Sequence, residues 1–223
     1  MDSKFWHDVW DEGQIGFHQS EVNKNLKNHL NLLQSTEHEI LVPLCGKSLD
    51  MNYLVSENYT VYGVEIVKKA IIEYFDEHKL NYHCEDISTE QNVKFESYTT
   101  ENNKLQLYHG DFHQFDQLGI KFSAIYDRAS MIALPPELRE VHAQSLRNLT
   151  KKNGTILLIT LEYDQSKVNG PPHSLETAEV QSLFSNDFEI TIINEEKTKN
   201  IGPKFKNNGI NFVTQKVYCL KRK

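Results

Sequence analysis

The stretch 40–66, with Glu39 ahead of it, reads EILVPLCGKSLDMNYLVSENYTVYGVEI and constrains the fold more than any other part of the chain. Ile40, Leu41 and Val42 form a short apolar run of the kind that makes a buried strand. Residues 43–47 break it, and Ser48 is placed to cap a helix that continues through Leu49, Tyr53 and Leu54. A second apolar strand, 61–66, ends in an acid, Glu65. Strand, glycine-bearing turn, helix, strand and acid is the order of a nucleoside-binding βαβ unit. In such a unit the helix N-terminus faces the ligand and the acid holds ribose hydroxyls. Gly46 and Glu65 stand 19 positions apart, close to the ~20 such units use.

The turn carries one glycine and no G-x-G-x-x-G. Glycines there let the backbone approach a pyrophosphate, so their absence argues against a dinucleotide and suits a ligand without phosphates. S-adenosylmethionine, an adenosine joined to an amino acid, is such a ligand. From these residues alone, a Rossmann-like unit whose strand-end Glu is merely solvated stays equally open.

The chain has 223 residues, 39% of them hydrophobic and 25% charged, enough for one sizeable core. Its net charge of −7 argues against nucleic acid or a polybasic membrane surface as partner. No apolar run approaches the ~18 residues of a membrane span, and the N-terminus lacks the charged start and apolar run of a secretory signal. Three scattered cysteines, Cys45, Cys84 and Cys219, without C-x-x-C, fit a reducing cytoplasm rather than a disulfide framework or a cysteine zinc site.

Along the chain, Trp6 and Trp10 are four apart and share a face if the segment is helical. Either both cover the core, or residues 1–20 form an aromatic lid in which the indoles and Phe17 pack on a ligand, with Gly13 and Gly16 letting it bend. Ser20 is placed to cap a helix bearing Val22, Leu26, Leu30 and Leu33. A helix is predicted over 68–78. Residues 80–103 read as an irregular crossover insertion, with short strands at 93–98 and 104–108. Asp111, at a turn after a strand, is either solvated or an acceptor for an adenine amino group. The strand 122–126 is followed by Asp127 and Arg128, at the edge where α/β sheets bind ligands, or as a plain ion pair. Two prolines open a helix over 137–149, a turn at Asn153-Gly154 leads into the strand 155–161, and a helix is predicted over 176–184. The strands 188–193 and 211–220 lack a useful helix between them, which predicts an antiparallel end to the sheet. The whole, 1–223, reads as one domain.

Several chemistries find no motif. The ten histidines show no metal spacing and default to single surface residues, and no metal is expected. There is no G-x-S-x-G elbow. Gly46-Lys47-Ser48 matches the end of a phosphate-binding loop, but Leu41 stands where the earlier glycine is required. Cys45 has no histidine in its turn and reads as packing rather than as a nucleophile.

FWHDVWDEGQIGFHQSEVN at 5–23, LVPLCGKSLDM at 41–51, VYGVEI at 61–66, GDFHQF at 110–115, YDRASMIALP at 126–135, LLITLEYDQ at 157–165 and GPPHSLETAEVQSLF at 170–184 occur in this order. Together they resemble the thiopurine S-methyltransferase family, specifically its bacterial members. The resemblance implies an α/β, class I S-adenosylmethionine-dependent methyltransferase fold, Rossmann-like, with a mostly parallel seven-stranded sheet and a reversed C-terminal β-hairpin. It implies that residues 6–17 close over the cofactor S-adenosyl-L-methionine, with Trp6 and Trp10 in that segment and Trp10 touching the cofactor. It also implies that Leu44 gives a backbone contact, Glu65 binds ribose, Asp111 and Phe112 meet the adenine, Arg128 lies at the cofactor–acceptor junction and Phe17 packs on the acceptor.

The activity so implied is methyl transfer to the sulfur of an aromatic or heterocyclic thiol such as 6-mercaptopurine, by a cytoplasmic monomer that needs no metal. Such thiols ionise readily, so alignment and a dry pocket replace a strong base. Arg128 would orient an anionic acceptor or the cofactor carboxylate, and Asp164 is a candidate proton acceptor for less acidic thiols. Halide, small-thiol or selenium and tellurium oxyanion acceptors are the alternative on the same site. A non-catalytic nucleoside-binding module or an NAD enzyme is the alternative in kind.

Overall fold

The computed structural model describes residues 3–223. Its nine strands form one sheet in the order β3-β4-β5-β2-β1-β6-β7-β9-β8. They are β1 (Glu39–Pro43), β2 (Thr60–Glu65), β3 (Tyr82–Ser88), β4 (Lys94–Thr100), β5 (Leu105–His109), β6 (Phe122–Arg128), β7 (Thr150–Glu162), β8 (Phe188–Thr198) and β9 (Val213–Arg222). The five central strands pair in parallel, and the pairs β3–β4, β4–β5, β7–β9 and β8–β9 are antiparallel. Only β4 and β9 therefore run against the rest. The helices are α1 (Ser3–Asp11), α2 (Lys24–His29), α3 (Asp50–Ser56), α4 (Lys68–His78), α5 (Pro136–Leu149), α6 (Thr177–Phe184) and α7 (Pro203–Asn207).

Period-2 alternation sorts the strand side chains onto two cores. Ile40, Val42, Val61, Ala124, Tyr126 and Leu157 face one core with Leu26 of α2, Leu54 of α3 and Ile71 and Phe75 of α4. Leu41, Val64, Ile125, Ile156 and Leu158 face the other with Leu146 of α5 and Phe184 of α6. Strands covered on both faces must be apolar throughout, which is why 40–42 and 155–161 read as unbroken runs.

The sheet has nine strands where seven were expected, because the segment 80–103 holds, besides the strand expected at 93–98, a second one ahead of it. Its residues form β3 and β4, a hairpin added to the edge beyond β5. The strand expected at 104–108 is β5 itself, a central strand paired with β2. Two cap assignments also change. Asn23, not Ser20, caps α2 by accepting the Asn25 N–H at 2.8 Å. Ser48 lies two positions before α3, and its hydroxyl accepts the Asp50 N–H at 3.2 Å. The turn at Asn153-Gly154 is absorbed into β7 as an irregularity opposite 122–124, with Asn153 at φ 62°.

Candidate active site

β1, β2, β5, β6 and β7 all end at the same edge of the sheet. The chain leaves β1 towards β2 on one side and later returns to β6 on the other. That is the reversal of strand order at which open α/β sheets bind ligands. The turn after β1, Glu65, Asp111 and Arg128 all lie along this edge.

Two left-handed residues, Leu44 at φ 47° and Gly46 at φ 51°, shape the turn after β1. Cys45 points inward and packs on Gly63, where an added Cβ would stand 2.7 Å from its sulfur. Gly63 rather than a turn glycine therefore lets the turn close on β2. Burial pushes the Cys45 thiol well up, which keeps it protonated and agrees with a packing role.

Glu65 is buried, at 7% exposure. One carboxylate oxygen accepts the Gly46 N–H and the other the Val67 N–H, each at 2.9 Å. Burial pushes its pKa up and outweighs these bonds, with the Val67 and Gly46 N–H groups pulling it back. Glu65 is thus neither solvated nor devoted only to a ligand. It also ties the turn after β1 to the end of β2.

The N-terminal segment lies on this turn. Trp10 is 3% exposed, and an added Cβ on Gly46 would stand 3.3 Å from its ring. Trp6 and Trp10 each meet Phe17 edge-to-face at 5.9 Å, and all three pack with Val67 and Ala70. The helical face predicted from the four-residue spacing of the tryptophans is therefore present in α1. Backbone carbonyls fasten the segment: Lys69 Nζ donates to Trp10 O at 3.0 Å and Arg128 Nη2 to Phe17 O at 3.4 Å. Beyond it, Asp50 accepts the Asn23 N–H at 2.8 Å and the Tyr126 hydroxyl at 2.9 Å, anchoring the segment's far end to β6.

Lys47 is the residue that sequence reasoning passed over. Its ammonium, 8% exposed, pairs with Glu73 at 2.8 Å and Glu77 at 2.6 Å and lies 5.9 Å from the Trp10 ring. Burial lowers its pKa, but the two carboxylates outweigh burial and the net shift is upward. The signal was present in Glu73 and Glu77, one helical turn apart on α4.

On the other side of the edge, Asp111 caps the 3-10 helix Phe112–Leu118 by accepting the His113 N–H at 3.0 Å. Phe112 is buried against His142, ring centres 4.8 Å apart, so its side chain belongs to the core. Asp127 lies inside β6, fully buried, and accepts the Met131 N–H at 3.2 Å rather than pairing with Arg128. His142 is fully buried and His113 is 9% exposed, so neither is the surface histidine expected. Asp164 is exposed and accepts from Ser166 Oγ at 2.6 Å. That bond, with Lys167 adding to it, holds its carboxyl low, which makes it a poor proton acceptor. Glu162 caps α6, accepting the Thr177 N–H at 2.9 Å, and pairs with Lys216.

Contacts therefore link Trp6, Trp10, Phe17, the turn at 44–46, Glu65 and Arg128 at this edge of the sheet, and Asp111 follows β5 at the same edge. These residues suit S-adenosyl-L-methionine. Each Glu65 oxygen has lone pairs beyond the one taken by the backbone, which a ribose diol can use. The turn offers no glycine cradle for phosphates, Lys47 lies 5.9 Å from the Trp10 ring, and Arg128 donates to the Phe17 carbonyl. Concavities of about 490 Å³, beside Glu162 and Lys216, and about 350 Å³, beside His113 and Glu140, lie away from Trp10 and Glu65. Among the described residues no helix is long and apolar enough to cross a membrane.

Comparison with known proteins agrees with this geometry. The sequence model of the thiopurine S-methyltransferase family matches residues 1–223. A probable thiopurine S-methyltransferase of Yarrowia lipolytica is 42% identical over 99% of this chain and 100% of its own length. The thiopurine S-methyltransferase of Shewanella pealeana is 36% identical over 100% of both. Among solved structures, an S-adenosylmethionine-dependent methyltransferase of Anabaena variabilis superposes with a TM-score of 0.66 at 19% identity, covering 99% of this chain and 95% of its own. Magnesium protoporphyrin IX methyltransferase of Synechocystis, with bound S-adenosylmethionine, superposes with a TM-score of 0.62 at 14% identity over 100% and 98%. Fold, strand-end acid and full-length match converge: this chain belongs to the thiopurine S-methyltransferase family and is an S-adenosyl-L-methionine-dependent methyltransferase.

Proposed function

We propose that the acceptor is the sulfur of an aromatic or heterocyclic thiol, thiopurines such as 6-mercaptopurine among them. The observation that carries this reading is the aromatic cluster of Trp6, Trp10 and Phe17, joined to Arg128 through the Phe17 carbonyl. It offers flat apolar surface beside a fixed cation, which matches a planar thiolate. When bound, S-adenosyl-L-methionine supplies an electrophilic methyl on a sulfonium, with a neutral thioether as the leaving group.

The chain's own residues then bind, orient and exclude water. Glu65 accepts the ribose hydroxyls, the Leu44 turn gives its backbone, and Asp111 meets the adenine edge. Residues 1–20 act as a lid, with Trp10 and Phe17 drying the crevice so that an anion and a sulfonium neutralise each other at low cost. Arg128 holds the acceptor anion or the cofactor carboxylate. No general base is assigned. Orientation supplies ~7–11 kcal/mol of the barrier lowering.

The test is incubation of purified protein with labelled S-adenosylmethionine and 6-mercaptopurine, with and without chelator. S-methylated purine and S-adenosylhomocysteine should form equally in both. Binding of S-adenosylhomocysteine without methylation of any thiol, or faster transfer to iodide, a small alkyl thiol or selenite, would defeat the aromatic-thiol reading.

A further inference from the structure

His142, in the middle of α5, is fully buried and lies between two loops of the site. Its Nε2 lies 2.8 Å from Ser130 Oγ and 3.4 Å from Asp127 Oδ2. Its Nδ1 lies 3.3 Å from His113 Nε2, and its ring packs on Phe112. A carboxylate only accepts, so Nε2 carries the hydrogen and Nδ1 accepts the one on His113. The two edges of one imidazole thus grip different segments.

Both segments need a grip. Arg128 is followed by Ala129 at φ 64°, a conformation that L side chains rarely adopt. The two residues that follow Ala129 are both held, the Met131 N–H by Asp127 and the Ser130 hydroxyl by His142. At the second segment, Asp111 accepts the His113 N–H, and the His113 ring reaches His142. Burial keeps His113 low, at about 4, with the neighbouring His142 adding to it, so His113 carries no charge at neutral pH.

We propose that His142 is a positioning residue that sets both ends of the cofactor site from behind. Its Nε2 edge fixes Arg128 through Ser130 and Asp127, and its Nδ1 edge fixes Asp111 through His113. This rests on the assignment of Arg128 and Asp111 to the site.

Two amides test the edges separately. In His142→Gln the amide reaches the Nε2 position and keeps the Ser130–Asp127 side. In His142→Asn it stands at Nδ1 and keeps the His113 side. Adenosine affinity reads the Asp111 end. The kcat for S-methylation of 6-mercaptopurine, or of thiophenol should that react faster, reads the Arg128 end. His142→Gln should weaken adenosine at least fivefold and lower kcat less than threefold. His142→Asn should lower kcat at least tenfold and weaken adenosine less than threefold. Ser130→Ala, a smaller change to the core, should follow the Asn pattern. Equal shifts in both readouts, or no shift in either, would overturn the proposal, because a histidine that merely fills the core does not distinguish its edges. Arg128→Lys and Asp111→Asn run alongside. If these direct changes move neither readout, the site assignment fails and takes the proposal with it. If they move their readouts and the two amides do not split, only the role of His142 falls.

Discussion

Replacing Glu65 with alanine removes a carboxylate that ties the turn after β1 to the end of β2 and that, in the proposed function, holds the ribose. Two backbone N–H groups, of Gly46 and Val67, lose buried acceptors. Each orphaned donor costs ~1–3 kcal/mol. Relief of the carboxylate's own burial offsets part, leaving about 2–3 kcal/mol of destabilisation. At 2–4 °C per kcal/mol for a chain this long, Tm should fall by roughly 4–12 °C. Affinity for S-adenosylhomocysteine should fall by a further ~1.5–3 kcal/mol, the worth of hydrogen bonds to a charged acceptor, or roughly 10- to 150-fold. Calorimetric titration below the variant's Tm separates the two losses. The carboxyl's raised pKa adds a signature: ribose hydroxyls favour the ionised form, so ligand binding draws the pKa down and releases a proton on the acid side. Wild-type affinity should therefore weaken as pH falls through that range, and Glu65→Gln should lose this dependence. Lower stability with unchanged affinity would reduce Glu65 to a strand-end cap, and unchanged values of both would refute the reasoning altogether.

Three other outcomes are expected. Trp10→Ala, which empties the space over Gly46, should weaken S-adenosylhomocysteine at least tenfold by calorimetry, and the ligand-induced change in tryptophan fluorescence should shrink, leaving Trp6 as its only source; undiminished affinity would detach the lid from the site. Arg128→Lys should lose at least tenfold in kcat/KM, ~1.4 kcal/mol, because lysine lacks the planar fork, and normal steady-state constants for both substrates would remove Arg128 from the site. His113, held at about 4, is neutral in the folded chain while the unfolded chain gains a proton near pH 6.5. Its contribution is thus full above pH 6.5 and lost as pH falls towards 4, so wild-type stability in urea should drop by ~1–2 kcal/mol between pH 7 and 5 and His113→Gln should flatten that limb.

What could be read in advance divides by the range of the forces involved. The central βαβ unit was legible because strands buried on both faces are written as apolar runs, and α4 was found at its full extent, Lys68–His78. β3 was not legible because nearly all of its side chains are exposed, so no apolar period marks this edge strand. Ser20 lost the α2 cap to Asn23 because Asp50, 27 residues away, holds the Asn23 N–H. In the site, position after the second strand pointed to Glu65, whereas Trp10 was singled out only by the family resemblance. The second duty of Glu65, the burial of Asp127 and the grip of His142 on two loops all depend on partners distant in sequence. A histidine's spacing alone does not reveal burial.

The added hairpin offers a route for a reporter. β4 carries Phe95 directly beneath Gly110, where any Cβ would stand 2.3 Å from its ring, and Glu96 meets His109 at 2.6 Å, so the inner strand props the turn leading to Asp111. The outer strand carries Cys84, the exposed member of three cysteines, while Cys45 is buried and burial raises the thiol of Cys219. A thiol-reactive dye should therefore attach selectively to Cys84 on the unmodified protein. It would sit one strand away from the buttress of the turn that carries Asp111, where a change in its emission on adding S-adenosylhomocysteine would report ligand binding without an altered residue at the proposed site.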